Sequence, residues 1–120
     1  MTDFKTRDIF LVNFDPAVGH EYKKIRPAVI IQSEKTIKNT EGNTSLITIM
    51  PITSQTTNCL NEDVKIVKSK ANGLWSDSII KVSCIHSFDR KRFLKKIGFI
   101  SEEMMEDLMK YLRVHFNLKS

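Results

Sequence analysis

Cysteine is scarce in this chain: Cys59 and Cys84 are the only two among 120 residues. They form no CxxC pair, and neither has a histidine at zinc-ligand spacing, so no structural metal site is expected. No apolar run approaches the roughly twenty residues that span a bilayer. The opening stretch, Met1-Thr2-Asp3-Phe4-Lys5-Thr6-Arg7-Asp8, lacks the apolar core of a signal peptide. The expected setting is therefore the cytoplasm, away from any membrane, with both thiols reduced. Internal repeats, low-complexity tracts and an interdomain linker are missing as well, and half of 120 residues would hold too little core to be stable, so residues 1–120 are expected to form one domain. What is present is the balance of a folded globular protein, 41% hydrophobic and 28% charged. Nineteen Lys and Arg against fourteen Asp and Glu leave a net charge of +5, which favours an anionic partner and permits nucleic acid.

Residues 9–14, Ile-Phe-Leu-Val-Asn-Phe, are rich in β-formers and stop at Asp15-Pro16, where proline cannot donate to a ladder. Strand-like composition resumes at Pro27-Ala28-Val29-Ile30-Ile31-Gln32, leaving a long charged loop between two strands. Such a loop exceeds what a tight hairpin needs, and loops of this kind tend to carry function. Residues 33–45 are polar and read as loop, residues 46–50 as a third strand closed by Pro51, with Thr53 and Ser54 just beyond its end. Residues 62–67 and 79–83 alternate polar and apolar on either side of the Asn72-Gly73 turn, predicting two more antiparallel strands. Five short strands at this spacing point to a small barrel or sandwich. Asp89 is placed to cap a single helical turn before the short segment 97–100. Ser101 is a good N-cap, Glu102 and Glu103 suit the positive end of a helix dipole, and Met104, Leu108, Leu112 and Phe116 recur every four residues. This spacing predicts a terminal helix packed by one apolar face, with its methionines in the core.

The ordered set Gly19-His20-Glu21, Arg26-Pro27, Pro51-Ile52-Thr53-Ser54, Asn72-Gly73-Leu74, Asp77-Ser78 and Phe88-Asp89-Arg90-Lys91-Arg92-Phe93, spread over roughly residues 7–116, resembles the MazF/PemK toxin family. The resemblance implies an SH3-like antiparallel small barrel, mainly β, with a C-terminal α-helix, in agreement with the elements above. It further implies a toxin of a type II toxin–antitoxin system, an mRNA interferase that cleaves single-stranded RNA selectively and needs no metal or other cofactor. The implied assembly is a homodimer whose two charged loops flank an RNA groove. The implied partner is an antitoxin whose acidic, disordered C-terminal segment lies in that groove, which suits a charge of +5.

Metal-free RNA cleavage requires attack of the ribose 2′-hydroxyl on its own 3′-phosphate, and hence a base, an acid for the leaving 5′-oxygen and positive charge at the phosphorane. Arg26 stands where the family has its functional arginine, and a guanidinium holds two phosphate oxygens at once. Thr53 matches the family's functional threonine and would hold a phosphate oxygen across from it; Ser54 offers a second donor or simply completes a turn. His20 and Glu21 are site residues by the same resemblance. Glu21 serves either as base or to orient Arg26, and His20 has the ordinary pKa for proton transfer near neutrality. The plainer roles are an ion pair from Glu21 to Lys23 or Lys24 and an exposed loop imidazole. Lys23, Lys24 and Lys81, the last expected on the solvent face of its strand, are candidate phosphate contacts. The basic run Arg90-Lys91-Arg92 with Lys95-Lys96 is read as a solvated face.

Three departures from the family pattern stand out. Ser83-Cys84-Ile85-His86-Ser87 occupies the place where many members read Asp/Glu-Gln-Ile-Arg-Thr, so the carboxylate proposed as a base in some members is a serine here. Proton transfer then falls to Glu21 or His20, and His86 is the candidate for residual phosphate affinity. Arg7 replaces the family's usual glycine before the first strand, a change expected to be of little consequence. Two rival readings follow: a noncatalytic relative that binds RNA or protein, supported by the serine, and a gyrase-inhibiting toxin of the same barrel, opposed by the intact Arg26-Pro27 and Thr53-Ser54 pairs.

Overall fold

Alternation of apolar side chains builds two cores, one on each face of the sheet. In the computed structural model, which describes residues 4–15, 24–39, 46–55 and 63–118, β1 (Asp8–Asn13) sends Phe10 and Val12 to one face and Ile9 to the other. β2 (Ile25–Ile30) divides in the same way, Ala28 and Ile30 on the first face and Val29 on the second. β3 (Leu46–Thr53) does so too, with Ile47 and Ile49 set against Met50 and Ile52. This period of two is what a pleated strand imposes, and here both faces are covered.

β4 (Val64–Ile66), β5 (Ser78–Ile80), β6 (His86–Asp89) and β7 (Phe93–Phe99) complete a seven-stranded sheet in the order β4-β5-β3-β2-β1-β7, with β6 also on β3. Every pairing is antiparallel. β3 holds the sheet together. Its residues 49–51 pair with β2, while along its other side residues 46–49 take β6 and residues 52–53 take β5. β5 and β6 thus share the same side of β3, separated by a single 3-10 turn at Val82–Cys84. The C-terminal helix α2 (Glu102–His115) begins at Ser101, whose Oγ accepts from the Met104 N–H at 3.1 Å. It buries Leu108 completely against the second core, flanked by Met104, Met105, Met109, Tyr111 and Leu112.

The predicted strands and terminal helix are present, with instructive differences. Pro51 does not close the third strand. It lies opposite Ala28, the last pair between β3 and β2, and its carbonyl accepts from the Lys81 N–H at 2.9 Å, so the missing donor falls where β3 changes neighbours. Thr53 is consequently the last strand residue. The segment read as loop after residue 33 holds a short helix α1 (Glu34–Asn39), with Ser33 Oγ accepting from the Thr36 N–H and Ile37 buried in the first core. The predicted strand 79–83 ends at Ile80, and two strands that were not expected, β6 and β7, follow it, β7 running over residues 93–99 where only a short segment at 97–100 was read. Asp89 does cap one turn of 3-10 helix, at Arg90–Arg92, by accepting from the Lys91 N–H at 2.9 Å. Phe116 and Leu118, at the end of the predicted apolar stripe, are half exposed or more.

Arg7 is not an indifferent substitution. It holds φ +81, the left-handed region that a glycine adopts without strain, and its guanidinium donates to the Ile100 carbonyl at 3.0 Å. The basic run near residue 90 is likewise built into the fold: Arg90 lies 5.1 Å from the Phe4 ring centre and donates to the Ile37 carbonyl, Arg92 donates to the Asn13 and Asp15 carbonyls, and Lys96 pairs with Asp8 at 3.1 Å.

Candidate active site

The pairing of β2 with β3 ends at Ala28 and Pro51, after which β2 keeps only β1 and β3 turns to β5. A cavity of about 230 Å³ occupies the gap. Ile25, Arg26 and Pro27 form one wall and Ile52 and Ser54 the other, while Leu74, Trp75, Ser76 and Ser78 close the third side. Its apolar base is rigid, since Ile52 is 1% and Leu74 7% exposed within the second core. Around it the lining mixes Arg26 and three serines with the exposed Ile25 and Trp75.

Arg26 is partly buried opposite Val12 of β1, ahead of Pro27, whose fixed φ stiffens the entry to the strand. Carrying the register of β2 and β3 two residues beyond Ala28 and Pro51 brings Arg26 opposite Thr53. The Thr53 side chain is buried, its Oγ accepting from the Gln55 N–H at 3.2 Å, and the neighbouring hydroxyl of Ser54 is the one exposed to the cavity. The structure therefore brings Arg26 and Ser54 to one cleft and leaves Thr53, the residue before Ser54, buried and off its lining. An arginine and a serine lining one cavity are residue types suited to hold a phosphodiester and to stabilise charge gathering on it.

The long charged loop springs from the same rim. Its two ends are tied together where Asp15 Oδ1 accepts from the Lys24 N–H at 2.8 Å and the Lys24 carbonyl accepts from the Phe14 N–H at 2.8 Å. Lys24 is exposed and holds φ +65. His20, Glu21 and Lys23 lie outside the described residues.

Two candidates stand elsewhere. Lys81 does not face solvent: it follows the end of β5 and its Nζ meets Asp63 Oδ2 at 2.5 Å, with side chains 11% and 0% exposed. The strand alternation that would have pointed it outward ends at Ile80, so Lys81 is engaged in a buried ion pair. His86 is exposed on β6 opposite Ile49, outside the cavity, its ring 4.5 Å from that of Phe88. Ser83 sits in the 3-10 turn and adds no carboxylate. Among the described residues, no group of three His, Cys, Asp or Glu side chains is placed to hold a metal ion.

Sequence reasoning missed the third wall. The Asn72-Gly73-Leu74 and Asp77-Ser78 motifs were visible, yet nothing in the turn composition assigned Trp75 between them to the cleft.

Residues 5–116 match the family model described as the PemK-like, MazF-like toxin of type II toxin–antitoxin systems. The chain is 29% identical to endoribonuclease MazF9 of Mycobacterium tuberculosis over 114 residues, covering 94% of this chain and 96% of that protein. It is 27% identical to endoribonuclease EndoA of Bacillus subtilis over 114 residues, 95% of each. Its fold superposes on the crystal structure of MazF from Deinococcus radiodurans with a TM-score of 0.78 at 18% identity, covering 97% of this chain and all of that one. With the match spanning residues 5–116, nearly the whole chain, this protein belongs to the PemK-like, MazF-like toxins of type II toxin–antitoxin systems.

Proposed function

We propose that this chain is a sequence-selective endoribonuclease that cleaves single-stranded RNA by attack of a ribose 2′-hydroxyl on the adjacent phosphate. The observation that carries the reading is the cleft itself, with Arg26 on one wall and Ser54 on the other, Thr53 buried beside it. Arg26 binds the phosphate in two-pronged fashion and stabilises the phosphorane, while Thr53 and Ser54 orient its oxygens. The charge is supplied by a guanidinium, so the reaction runs without a metal. Glu21 or His20, on the loop anchored beside Arg26, moves the protons, since Ser83 cannot. Lys24 and, further away, His86 meet neighbouring phosphates.

Residues 1–120 act as one domain, two copies of which pair to complete the groove, in the cytoplasm. An antitoxin with an acidic segment competes with RNA for that groove, favoured by the net charge of +5.

The test is incubation of the pure protein with a long single-stranded RNA in EDTA, beside Arg26→Ala and Thr53→Ala. The expected products end in a 2′,3′-cyclic phosphate and a 5′-hydroxyl, and both variants are slower by at least about a hundredfold. RNA that is bound but left uncut would instead support the noncatalytic reading that Ser83 suggests, and cleavage only with added magnesium would refute the mechanism.

A further inference from the structure

Trp75 is 70% exposed, an unusual position for the largest apolar side chain and the single tryptophan of the chain. The exposure does not come from a loose loop. Asn72, itself buried, accepts through Oδ1 from the Ser69 and Leu74 N–H groups, each at 3.0 Å, and donates through Nδ2 to the Val67 carbonyl at 2.9 Å. Gly73 holds φ +69 and donates to the Ser69 carbonyl, and Leu74 is inserted in the core. On the far side, Asp77 accepts from the Lys68 N–H at 3.0 Å and Ser78 donates to the Ser76 carbonyl at 2.9 Å. The backbone is thus fixed on both sides of an indole that makes no hydrogen bond, ring contact or cation–π contact with any described residue. That indole lines the cavity shared by Arg26 and Ser54.

We infer that Trp75 is a preformed stacking platform for an RNA base next to the cleaved phosphate, a specificity-determining residue of the site. The inference rests on the nuclease reading for the identity of its ligand. An aromatic face beside a phosphate-binding guanidinium matches the repeat of a single strand, in which each phosphate is accompanied by a base free to stack. A platform already held in place also avoids the ordering cost of recruiting one on binding. Stacking is similar in the ground and transition states, so it acts on binding and leaves the chemical step alone.

Because the chain has one tryptophan, its fluorescence reports this residue alone. The protein is titrated with a mixed-sequence single-stranded RNA whose 2′-hydroxyls are methylated, which binds but cannot cyclise. Cleavage of ordinary RNA is measured in parallel for the wild type, Trp75→Ala and Trp75→Phe. The expected results are saturable quenching of the indole, a KM raised about tenfold in Trp75→Ala with kcat within about twofold, and partial rescue by Trp75→Phe. Quenching does not depend on cleavage, so a protein that quenches without cutting would keep the platform and lose the nuclease. Cleavage with an unchanged KM in Trp75→Ala and no quenching would overturn the platform alone. Emission that responds to protein concentration and not to RNA would assign the indole to contact with a second copy, and would overturn it equally.

Discussion

Replacing Lys81 by methionine separates two roles for that residue, a surface contact to RNA and a counter-ion inside the fold. Its ammonium lies 2.5 Å from Asp63 Oδ2, and the Asp63 side chain is fully buried. Removing one member of such a pair leaves a charge in a poorly solvated site, which costs about 3–5 kcal/mol, whereas replacing both members by apolar groups is often neutral. The 11% exposure of Lys81 gives water some access to the site, so the lower figure, about 3 kcal/mol, is appropriate. For a domain of this size that corresponds to a fall in Tm of about 12 °C. Thermal unfolding followed by circular dichroism measures it, and the double variant Asp63→Leu/Lys81→Met should recover most of the loss. At a temperature where Lys81→Met is still folded, its RNA cleavage should match the wild type. A Tm within about 2 °C of wild type together with weakened RNA binding would refute the reasoning and restore Lys81 to the surface role.

Arg26→Lys keeps the charge but loses the two-pronged grip proposed for it, and kcat should fall about a hundredfold, as read by single-turnover cleavage. Asn72→Ala strands the Ser69 and Leu74 N–H groups and the Val67 carbonyl, so stability should drop by about 2–3 kcal/mol in urea unfolding. Arg7→Gly relieves a strain of about 1–2 kcal/mol while giving up one hydrogen bond, whereas Arg7→Ala keeps the strain and loses the bond. The glycine variant should melt above the alanine variant; the opposite order would show that φ +81 is not costly here.

Legibility in the sequence followed the range of the forces involved. The helix from Ser101 was readable because its cap and its apolar spacing are local, and its Oγ bond to the Met104 N–H is the one foreseen. β1 and β2 were found within a residue or two because each buries a run of β-formers. α1 was missed because a six-residue helix depends less on propensity than on Ile37 filling the first core, a tertiary fact. Lys81 was misplaced because a period of two was extended past the point where β5 ends. Of the residues named by resemblance, Arg26 and Ser54 line one cavity while Thr53 is buried beside it, and Trp75, which lines the same cavity, was not named because no periodicity encodes its exposure.

The position of the cleft follows from the point at which β3 parts from β2. A sheet whose strands stay paired end to end leaves no gap for a phosphate. β3 is long enough to serve two sets of neighbours, and at Pro51 it gives up β2 just as its other side passes from β6 to β5. The missing donor of Pro51 lies on the other side, with its carbonyl, at the junction where β6 ends and β5 begins, so the proline costs the ladder nothing there. Beyond this point the two strands part while their frames remain rigid, so Arg26 and the Thr53-Ser54 pair stay at a separation set by the barrel and not by mobile loops. In their proposed roles, Arg26 on β2 and Ser54 at the end of β3 are anchored by strands that are themselves part of the core, and such preorganisation is what electrostatic stabilisation of a transition state demands.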